Sequence, residues 1–403
     1  MNILYIHQYF ATPSEPGGTR SYWIARELVE RGHHVTMLCS TNRRHPDPVK
    51  MDIDGIDVIY VKNKYSNYMP AYKKIYSFLH FVQVAIAAAK KLKDIDLVFA
   101  TSTPLTVGYM AMRLKKTRGW KYVFEVRDLW PEFPIQIGAI KNKFAIKFLK
   151  KLESDIYRKS EFVIALSPGM QDGVVAAGQP IEKTAMIPNM SKPDKFFPHP
   201  KNVETAKEYG IDLSKFNVIH FGSMGRANGL SYITDAAEVL KKAGNDSINF
   251  IFMGSGATKP YLTKKVEEKG LDNVLFLDSQ PMDILAEVVN CCDASITTFK
   301  NLPILKTNSP NKLFDSLSAG KPIIVNSAGW TKDLVEKENC GFFADPEKPE
   351  ELAEKLTLYS KDTALLEKWG ENARRLSIEV FDKDILSKKV ADVLENVYKS
   401  ISK

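Results

Sequence analysis

The segment 307–325, TNSPNKLFDSLSAGKPIIV, contains residue types suited to holding a diphosphate. Ser309 and the proline after it can start a helix, which would place Asn311 and Lys312 in the first turn. Backbone N–H groups, the helix dipole and the Lys312 ammonium would then converge on an anion. Asp315 lies four residues after Asn311 on a similar face, where its carboxylate can accept hydrogen bonds from ribose hydroxyls. A capped surface helix without a ligand would use the same residues, so both interpretations stay open.

Glycine-bearing loops follow several predicted strands. Gly17 and Gly18 stand where a first strand would turn into a first helix. In the second half, Gly222 and Arg226 stand in HFGSMGRANGL, and Gly254 ends the strand that follows. Glycine lets a backbone approach a ligand, and ligands of open α/β sheets bind at the carboxyl edge. The loops indicate a nucleotide-phosphate site, with plain turns as the alternative, and they lack the dinucleotide fingerprint of a nicotinamide enzyme.

These loops require an alternation of strands and helices to position them. Apolar strands are predicted at 3–10, 33–40, 56–61, 96–101, 121–126 and 162–166, with amphipathic helices between several of them. The pattern restarts with strands at 217–223, 249–256, 274–278, 294–299 and 321–326. The proline-rich, polar stretch 187–202 is the predicted linker. An α/β protein follows, with two doubly wound parallel sheets on either side of a cleft.

Composition excludes several classes of protein. The chain has 403 residues, of which 44% are hydrophobic and 26% charged, as in a folded globular protein. Its four cysteines are scattered and form no Cys-x-x-Cys pair, which favours a reducing cytoplasm. The start of the chain lacks the features of a signal peptide. The longest weakly polar run, 75–89, is too short to span a bilayer.

The net charge of +8 is concentrated in two segments. Residues 62–93 contain seven lysines and no acid, and 141–159 carry +5. Together these segments carry +12, so the rest of the chain carries −4. Nucleic acid and an anionic membrane surface are the partners that such a patch suits.

The arrangement within the two segments favours the membrane over nucleic acid. Phe144 and Phe148 begin a predicted helical stripe that continues through Leu149, Leu152 and Ile156. Lysines flank this stripe at Lys143, Lys147, Lys150 and Lys151. In the first segment the lysines are accompanied by Tyr65, Tyr68, Tyr72 and Tyr76. Basic amphipathic helices with aromatic residues lie in lipid interfaces, although ordinary surface helices facing their own core remain the alternative.

The chain resembles the bacterial glycosyltransferase family 4, whose members share the GT-B fold of two Rossmann-like domains. GGTRSYWIARELVERGHHVT, VRDLWPE, ALSPGM, IPN followed by FFP, and FDSLSAGKP carry the resemblance over nearly the whole length. RDLWPE and SPNKLFD are similar to transferases of O-antigen, capsule or exopolysaccharide repeat units. The resemblance implies an acceptor-side domain at 1–190 and a donor-binding domain at 191–380. A C-terminal helix at 381–403 would pack back toward the first domain.

The resemblance also implies roles for particular residues. The family carries two glutamates eight residues apart, and here the second is Asp315, a similar ribose ligand, while the first is Thr307. A histidine of the family's His-Asp pair is replaced by Arg127, which leaves Asp128 as the polar group near the reacting sugar. Arg127 would be structural or would contact the acceptor.

The predicted activity is that of a retaining glycosyltransferase for a hexose or N-acetylamino sugar. A UDP-linked donor and a polyprenyl-diphosphate-linked acceptor are expected, with the protein peripheral on the cytoplasmic face of the cell membrane. Lys312, Arg226 and N–H groups at Gly18 and Asn311 would stabilise the leaving diphosphate. No metal or other cofactor is expected, because the resemblance implies that protein cations replace the metal. No nucleic acid is expected as a partner, because the basic segments favour a membrane.

Three alternatives remain on the sequence alone. One is an epimerase of UDP-N-acetyl sugars on the same fold, and another is a phosphorylase, for which no pyridoxal lysine is evident. The third is a non-catalytic membrane-binding module, which Thr307 would favour if it reflects lost catalysis. The pairs Asp52-x-Asp54 and Asp94-x-Asp96 have metal-binding spacing. They are predicted to lie in a turn and at a strand start instead.

Overall fold

The computed structural model describes residues 1–15, 17–41, 48–66 and 69–402, so Tyr68 of the first basic segment lies outside the described residues. The chain divides into two compact units. The N-terminal unit comprises Met1–Pro13, Gly17–Pro188 and Lys383–Lys403. The C-terminal unit comprises Ser14–Pro16 and Asn189–Asp382. The chain therefore passes from one unit to the other at 188–189 and 382–383. The predicted domain boundaries are 190–191 and 380–381.

The described strands of the N-terminal unit form one sheet. They are β1 (Asn2–Ile6), β2 (His34–Thr41), β3 (Val49–Ile53), β4 (Ile56–Lys62), β5 (Leu97–Thr101), β6 (Tyr122–Val126), β7 (Phe162–Ala165) and β8 (Thr184–Met186). Their order is β3-β4-β2-β1-β5-β6-β7-β8. Neighbours are parallel except β3 and β4, which pair antiparallel. Every residue of β5 and β6 is buried, as expected of central parallel strands covered on both faces.

Helices cover both faces of this sheet. They are α1 (Arg20–Glu30), α2 (Ala71–Ala89), α3 (Thr106–Arg118), α4 (Glu132–Gln136), α5 (Lys143–Lys159) and α6 (Pro168–Ala176). The crossovers β1-α1-β2 and β5-α3-β6 leave the centre of the sheet in opposite directions, so right-handed connections put α1 and α3 on opposite faces. Helix α3 packs against both α2 and α5.

The C-terminal unit has a parallel sheet in the Rossmann order. Its strands are β9 (Phe216–Ser223), β10 (Ile248–Ser255), β11 (Val274–Leu277), β12 (Ala294–Thr297), β13 (Ile323–Val325) and β14 (Gly341–Phe343). The order β11-β10-β9-β12-β13-β14 reverses direction between β9 and β12. In the N-terminal unit the reversal lies between β1 and β5. Such switch points are where open α/β sheets bind ligands.

Alternating residues of β10 enter two hydrophobic clusters. Phe250 and Phe252 belong to one cluster, and Ile251 and Met253 belong to the other. Successive side chains of a strand point to opposite faces, so both faces of this sheet are covered. The covering helices are α7 (Val203–Glu208), α8 (Ser231–Lys242), α9 (Lys259–Glu268), α10 (Met282–Cys291), α11 (Asn311–Ser318), α12 (Trp330–Lys337), α13 (Pro349–Tyr359) and α14 (Thr363–Glu379).

The chain ends with α15 (Lys383–Ile401), which belongs to the N-terminal unit and packs against α1. Arg31 connects the two helices because its guanidinium contacts Asp392 at 2.6 Å and Glu395 at 3.4 Å. The C-terminal helix is therefore part of the N-terminal unit although about 360 residues separate the two elements in sequence.

Candidate functional site

A lysine and a histidine meet at the switch point of the C-terminal sheet. Lys312 lies in the first turn of α11, and His220 lies near the carboxyl end of β9. Lys312 Nζ is 3.1 Å from His220 Nε2, and His220 Nδ1 is 3.3 Å from the carbonyl oxygen of Ile296. Because Nδ1–H donates to that carbonyl, Nε2 presents its lone pair to the lysine.

Burial changes the protonation of this pair. It lowers the pKa of Lys312 to about 7. The pKa of His220 lies well below its ordinary value, first because of burial and second because of the Lys312 charge. The histidine is therefore neutral, and no carboxylate of the described residues pairs with the lysine. A desolvated cation of this kind is a ready partner for an anion.

The predicted glycines around this pair differ in what they do. Gly222 has φ +96°, a backbone conformation that favours glycine, whereas a Cβ there would make only an ordinary contact with Lys312 Cε at 3.9 Å. Gly254 has φ +152°, and a Cβ there would stand 1.9 Å from the Gly222 carbonyl oxygen. Gly254 is therefore required by the close packing of β9 and β10 rather than by the approach of a ligand.

Arg226 supplies a second cation in the loop after β9. It begins a short 3₁₀ turn, and its exposed side chain has no hydrogen-bond or ion-pair partner among the residues that the structure describes. The family resemblance predicts a lysine near position 228, where this chain has asparagine. Asn228 donates through Nδ2 to the Ser223 carbonyl at 2.6 Å. Asn228 therefore shapes the loop, and Arg226 carries its free charge.

The residues that precede Lys312 along the chain are partly buried, apart from Ser309, which is buried. Ser309 accepts a hydrogen bond at Oγ from the Asn189 amide at 3.2 Å, and Pro310 rather than a side-chain cap precedes α11. Asn311 is the first residue of α11, where helix N–H groups lack intrahelical partners. Thr307 ends the 3₁₀ turn Pro303–Thr307 and donates to the Ile304 carbonyl at 2.7 Å.

Asp315 is buried one turn into α11 and forms an ion pair with Lys192. Burial raises the pKa of Asp315, and the Lys192 charge opposes that rise. Lys192 belongs to the stretch 187–202, which sequence analysis assigns to a linker. Asn189, Ser191 and Lys192 are all buried, so this part of the stretch is packed structure rather than an exposed tether.

The N-terminal sheet gathers polar groups at its own switch point. The Arg127 amide donates to Ser102 Oγ at 2.9 Å, and Arg127 Nη1 is 3.4 Å from His7 Nε2. His7 Nδ1 lies 2.9 Å from Ser21 Oγ. The pKa of His7 lies well below its ordinary value because of burial and the Arg127 charge. Arg127 therefore faces a neutral histidine that directly follows β1.

Asp128 follows Arg127 and is partly buried. Burial raises its pKa to about 6, although the Arg127 charge opposes the rise. Its carboxylate has no hydrogen-bond partner among the described residues. An unpartnered carboxylate that titrates near neutrality can accept a proton or hold a sugar hydroxyl.

The loop before α1 has a largely structural role. Gly17 has φ +147°, and a Cβ there would stand 3.2 Å from Ala11 Cβ; Gly18 follows just before α1. The nearby Arg20 is buried and pairs with Glu125 at 2.9 Å. Its guanidinium also donates to the carbonyl oxygens of Ile187 and Pro188. Arg20 is fully occupied within the protein, so it offers no free charge to a ligand.

The Asp-x-Asp pairs lie only partly where the sequence predicts: Asp52 belongs to β3 rather than to a turn, whereas Asp96 directly precedes β5 as expected. Asp54 lies between β3 and β4 with φ +51° and accepts from the Tyr22 hydroxyl at 2.6 Å. Asp96 accepts from the Asn2 amide at 2.7 Å. Within the described ranges, no group of three or more His, Cys, Asp or Glu side chains is placed to hold a metal ion.

Helix α5 departs from the single apolar stripe that its periodicity predicts. Phe144 is 86% exposed and Phe148 is 66% exposed, whereas Ile156 is buried. The stripe therefore packs against the core only in its second half. Lys143 and Lys147 are exposed beside the two phenylalanines. Lys150 pairs with Glu132 at 3.2 Å and Lys151 with Asp155 at 3.6 Å.

The apolar stripe of helix α2 is likewise exposed in its first half and buried in its second half. Ile75 and Leu79 are exposed, whereas Val82 and Ala89 of the predicted stripe are buried. Tyr72 and Tyr76 are also exposed. Both helices follow the carboxyl ends of strands, so their exposed first halves lie toward the sheet edge that carries Asp128. No helix of the described residues is long and apolar enough to cross a bilayer.

Family models match both units of the chain. Residues 17–190 match the glycosyl transferase 4-like domain, and residues 202–376 match glycosyl transferases group 1. Together the two matches cover most of the chain, which belongs to the glycosyltransferases. The resemblance inferred from the sequence motifs is therefore confirmed.

Curated relatives of this glycosyltransferase are distant. The probable glycosyltransferase WbjE of Pseudomonas aeruginosa is 23% identical, and the match covers 64% of each chain. Alpha-galactosylglucosyldiacylglycerol synthase of Streptococcus pneumoniae is 24% identical over 62% of this chain and 65% of its own. The chain thus spans just under two thirds of these relatives. N,N'-diacetylbacillosaminyl-diphospho-undecaprenol alpha-1,3-N-acetylgalactosaminyltransferase of Campylobacter jejuni is 22% identical over 78% of this chain and 81% of its own.

Solved structures have the same fold as this glycosyltransferase over nearly its whole length. Sucrose-phosphate synthase from Thermosynechococcus elongatus has a TM-score of 0.77 at 16% identity and covers 99% of this chain and 100% of its own. HepE of Anabaena, solved in complex with UDP-glucose, has a TM-score of 0.72 at 19% identity. The match covers 98% of this chain and 100% of the HepE chain. The predicted GT-B class is confirmed.

Sequence reasoning missed the two histidines at the switch points and Lys192. A shared signal was present for the histidines, because Ile6-His7 and Ile219-His220 both fall at or near the end of the first strand of a Rossmann unit. No signal identified Lys192, which is 123 residues from the aspartate it contacts.

Proposed function

We propose that this glycosyltransferase moves a hexose or N-acetylamino sugar from a UDP-linked donor to a polyprenyl-diphosphate-linked sugar, with retention of configuration. The observation that carries the proposal is the partly buried Lys312 beside neutral His220 at a Rossmann switch point. Two relatives support the choice of substrates: HepE was solved with UDP-glucose, and the Campylobacter jejuni relative is named for transfer to diphospho-undecaprenol. The product would be a repeat unit of a surface polysaccharide.

The C-terminal unit would stabilise the leaving diphosphate. Cleavage of the anomeric bond places negative charge on that group, and Lys312 and Arg226 supply positive charge without competing carboxylates. The N–H groups at the start of α11, with Asn311 first, add dipoles aimed at the same anion. Asp315 would accept the ribose hydroxyls. Preorganised groups of this kind each contribute about 10²–10³-fold to a rate.

The N-terminal unit would act on the acceptor. Asp128 would position the acceptor sugar and accept its hydroxyl proton, for which a pKa of about 6 is suitable near neutral pH. Arg127, directed at His7, would hold the loop that carries Asp128. The N–H of Gly18 would add to the anion-binding groups. Protein cations take the role of a metal in this proposal, so turnover should not require a divalent ion.

Helices α2 and α5 would bring the protein to a lipid-linked acceptor. Phe144, Phe148, Ile75 and Leu79 are exposed apolar side chains on segments rich in lysine. A peripheral protein binds anionic bilayers through such a combination, with about 1 kcal/mol from each lysine near the surface. We therefore place the protein on the inner face of the cell membrane.

Titration calorimetry with UDP tests the donor site directly. The wild type should bind UDP, and Lys312→Ala should weaken binding by about tenfold or more, because a charge-assisted contact is lost. Lys361→Ala is a matched control, since Lys361 is an exposed lysine in the turn after α13. A wild type that does not bind UDP, or equal affinities in Lys312→Ala and wild type, would contradict the proposal.

A further inference from the structure

The segment that enters the C-terminal unit is bonded to the loop and helix that carry the predicted nucleotide ligands. The Asn189 amide donates to Ser309 Oγ at 3.2 Å. Ser191 Oγ donates to the Phe314 carbonyl at 3.0 Å, and the Lys192 amide donates to Ser318 Oγ at 2.9 Å. Hydrogen bonds at these three positions along 189–192 fix the segment against α11.

The opposite side of the same segment is also anchored. The Ser191 amide donates to the Phe381 carbonyl at 2.7 Å, and Arg374 donates to the carbonyl oxygens of Pro193 and Phe196 at 3.1 and 3.0 Å. The backbone of Lys192 is therefore held from two sides. The contact that its side chain makes therefore costs no further backbone entropy.

The Lys192 ammonium reaches the carboxylate of Asp315. Nζ contacts Oδ1, and the two side chains are 8% and 12% exposed. Nζ also lies 5.9 Å from the centre of the Phe196 ring. A buried carboxylate that lost its cation would take up a proton or change position. The lysine occupies one of several acceptor positions on the two oxygens, so capacity remains for further donors.

We propose that Lys192 is a positioning residue for nucleotide recognition, which holds the Asp315 carboxylate as the acceptor of the donor's ribose hydroxyls. The inference rests on the proposed function, because it requires a nucleotide at α11. It assigns a part in substrate recognition to a residue outside the α11 motif, on the segment that connects the two units. The effect should be confined to the ribose, since Lys192 acts through Asp315.

The test compares UDP with 2′,3′-dideoxyuridine diphosphate, which lacks the ribose hydroxyls, by calorimetry on the full chain. Wild type should prefer UDP by about tenfold or more, as expected for hydrogen bonds to a charged group. Lys192→Met should weaken UDP binding by about the same factor and leave the dideoxy analogue within about twofold. Lys192→Arg should restore most of the preference for UDP, because it keeps the positive charge.

Lys201→Met is the matched control, because it removes another partly buried ion pair of the same unit, with Asp293 at 2.6 Å. It should leave the preference for UDP unchanged. Equal weakening of both ligands by Lys192→Met, or an unchanged preference, would overturn the positioning role. A wild type that binds neither ligand would instead overturn the proposed function, and this inference with it.

A double variant keeps the test decisive if Lys192→Met does not fold. Asp315→Asn with Lys192→Met removes both charges and leaves no unpaired buried ion. Its affinity for UDP should match that of Asp315→Asn alone within about twofold, because the lysine would have nothing left to position. A further loss of about tenfold in the double variant would overturn the proposal.

Discussion

Two single residues, Lys312 and Asp128, have pKa values displaced toward neutrality from opposite directions. Burial lowers the pKa of Lys312 to about 7 and raises that of Asp128 to about 6. In both cases no described side chain of opposite charge offsets the desolvation by direct contact. Titratable groups with such displaced pKa values cluster at functional sites. In a structural ion pair, the opposite charge would favour the charged form and move the pKa back.

Binding of UDP should weaken as pH rises above about 7. The ammonium form of Lys312 binds the diphosphate, and its population falls as pH passes through the lysine's pKa of about 7. Affinity should fall by up to about tenfold per pH unit above that value. Calorimetry between about pH 6.5 and 8.5 measures this slope. Lys312→Arg should flatten it, since guanidinium stays charged, and a flat wild-type profile would contradict the role of Lys312.

Asp128→Asn should abolish most turnover while nucleotide affinity holds. The substitution keeps the size of the side chain and removes the base, so turnover should fall by about 10²–10⁴-fold. In the wild type, kcat/KM should decline as pH falls through about 6, because the carboxylate takes up a proton. Half of wild-type turnover in the variant would move the catalytic assignment to another residue.

In each of the two contacts at the candidate site, Lys312–His220 and Asp315–Lys192, the sequence predicted one of the two residues. Lys312 and Asp315 could be singled out because their spacing on a short helix is a local property. Their partners His220 and Lys192 lie 92 and 123 residues away along the chain. Such partners are set by the order of strands and by the packing of a segment without periodicity. Local patterns carry no information about the contact of Lys192, and for His220 they give only its position near the end of the first strand of a unit.

At the scale of elements, α5 shows what helical periodicity can and cannot predict. The spacing of Phe144, Phe148 and Ile156 correctly indicated one face of a helix. It did not indicate where the covering element ends, and only the second half of the face is covered. The strands β3, β8 and β14 were not predicted. β3 and β8 contain no buried residue, and β8 and β14 are only three residues long.

Substitutions along α5 should therefore differ in their effect on stability. Ile156→Ala should lower the free energy of unfolding by about 2–5 kcal/mol, because it leaves a cavity in a packed region. Phe144→Ser and Phe148→Ser should each change it by no more than about 0.5 kcal/mol, because both rings are exposed. Urea denaturation gives these values. A large loss of stability in Phe144→Ser would show that the ring packs within the protein.

The exposed half of α5 should bind anionic membranes. We expect Lys143→Glu with Lys147→Glu, and separately Phe144→Ser with Phe148→Ser, to reduce sedimentation with liposomes of rising anionic lipid content. Binding by the wild type should weaken as the salt concentration rises, because salt screens the attraction between the lysines and the anionic lipids. Lys361→Glu with Lys368→Glu makes the same charge change on exposed lysines of the C-terminal unit. Equal sedimentation of all these proteins would reject the membrane role of α5.

At the scale of the whole molecule, the restart of the strand–helix pattern at residue 217 predicted a second Rossmann unit correctly. The prediction succeeded because central parallel strands are buried on both faces and form continuous apolar runs. The return of α15 to the N-terminal unit is a long-range feature. It followed from the family resemblance rather than from any pattern within the helix itself.

The distribution of charge also belongs to this scale. The segments 62–93 and 141–159 carry +12, and both lie in the N-terminal unit, whereas the rest of the chain carries −4. The unit proposed to receive a lipid-linked acceptor is thus the one that would be attracted to an anionic bilayer.

Sugar transfer is the central claim, and a coupled measurement tests it most directly. The protein is incubated with a panel of UDP-sugars and a polyprenyl-diphosphate-linked sugar in vesicles, and UDP and the glycosylated lipid are both quantified. For at least one donor, the account predicts one UDP for each lipid product, with UDP released only when the acceptor is present and turnover lost in Asp128→Asn. UDP formed with a free epimerised sugar and no lipid product, or no UDP from any donor, would contradict it.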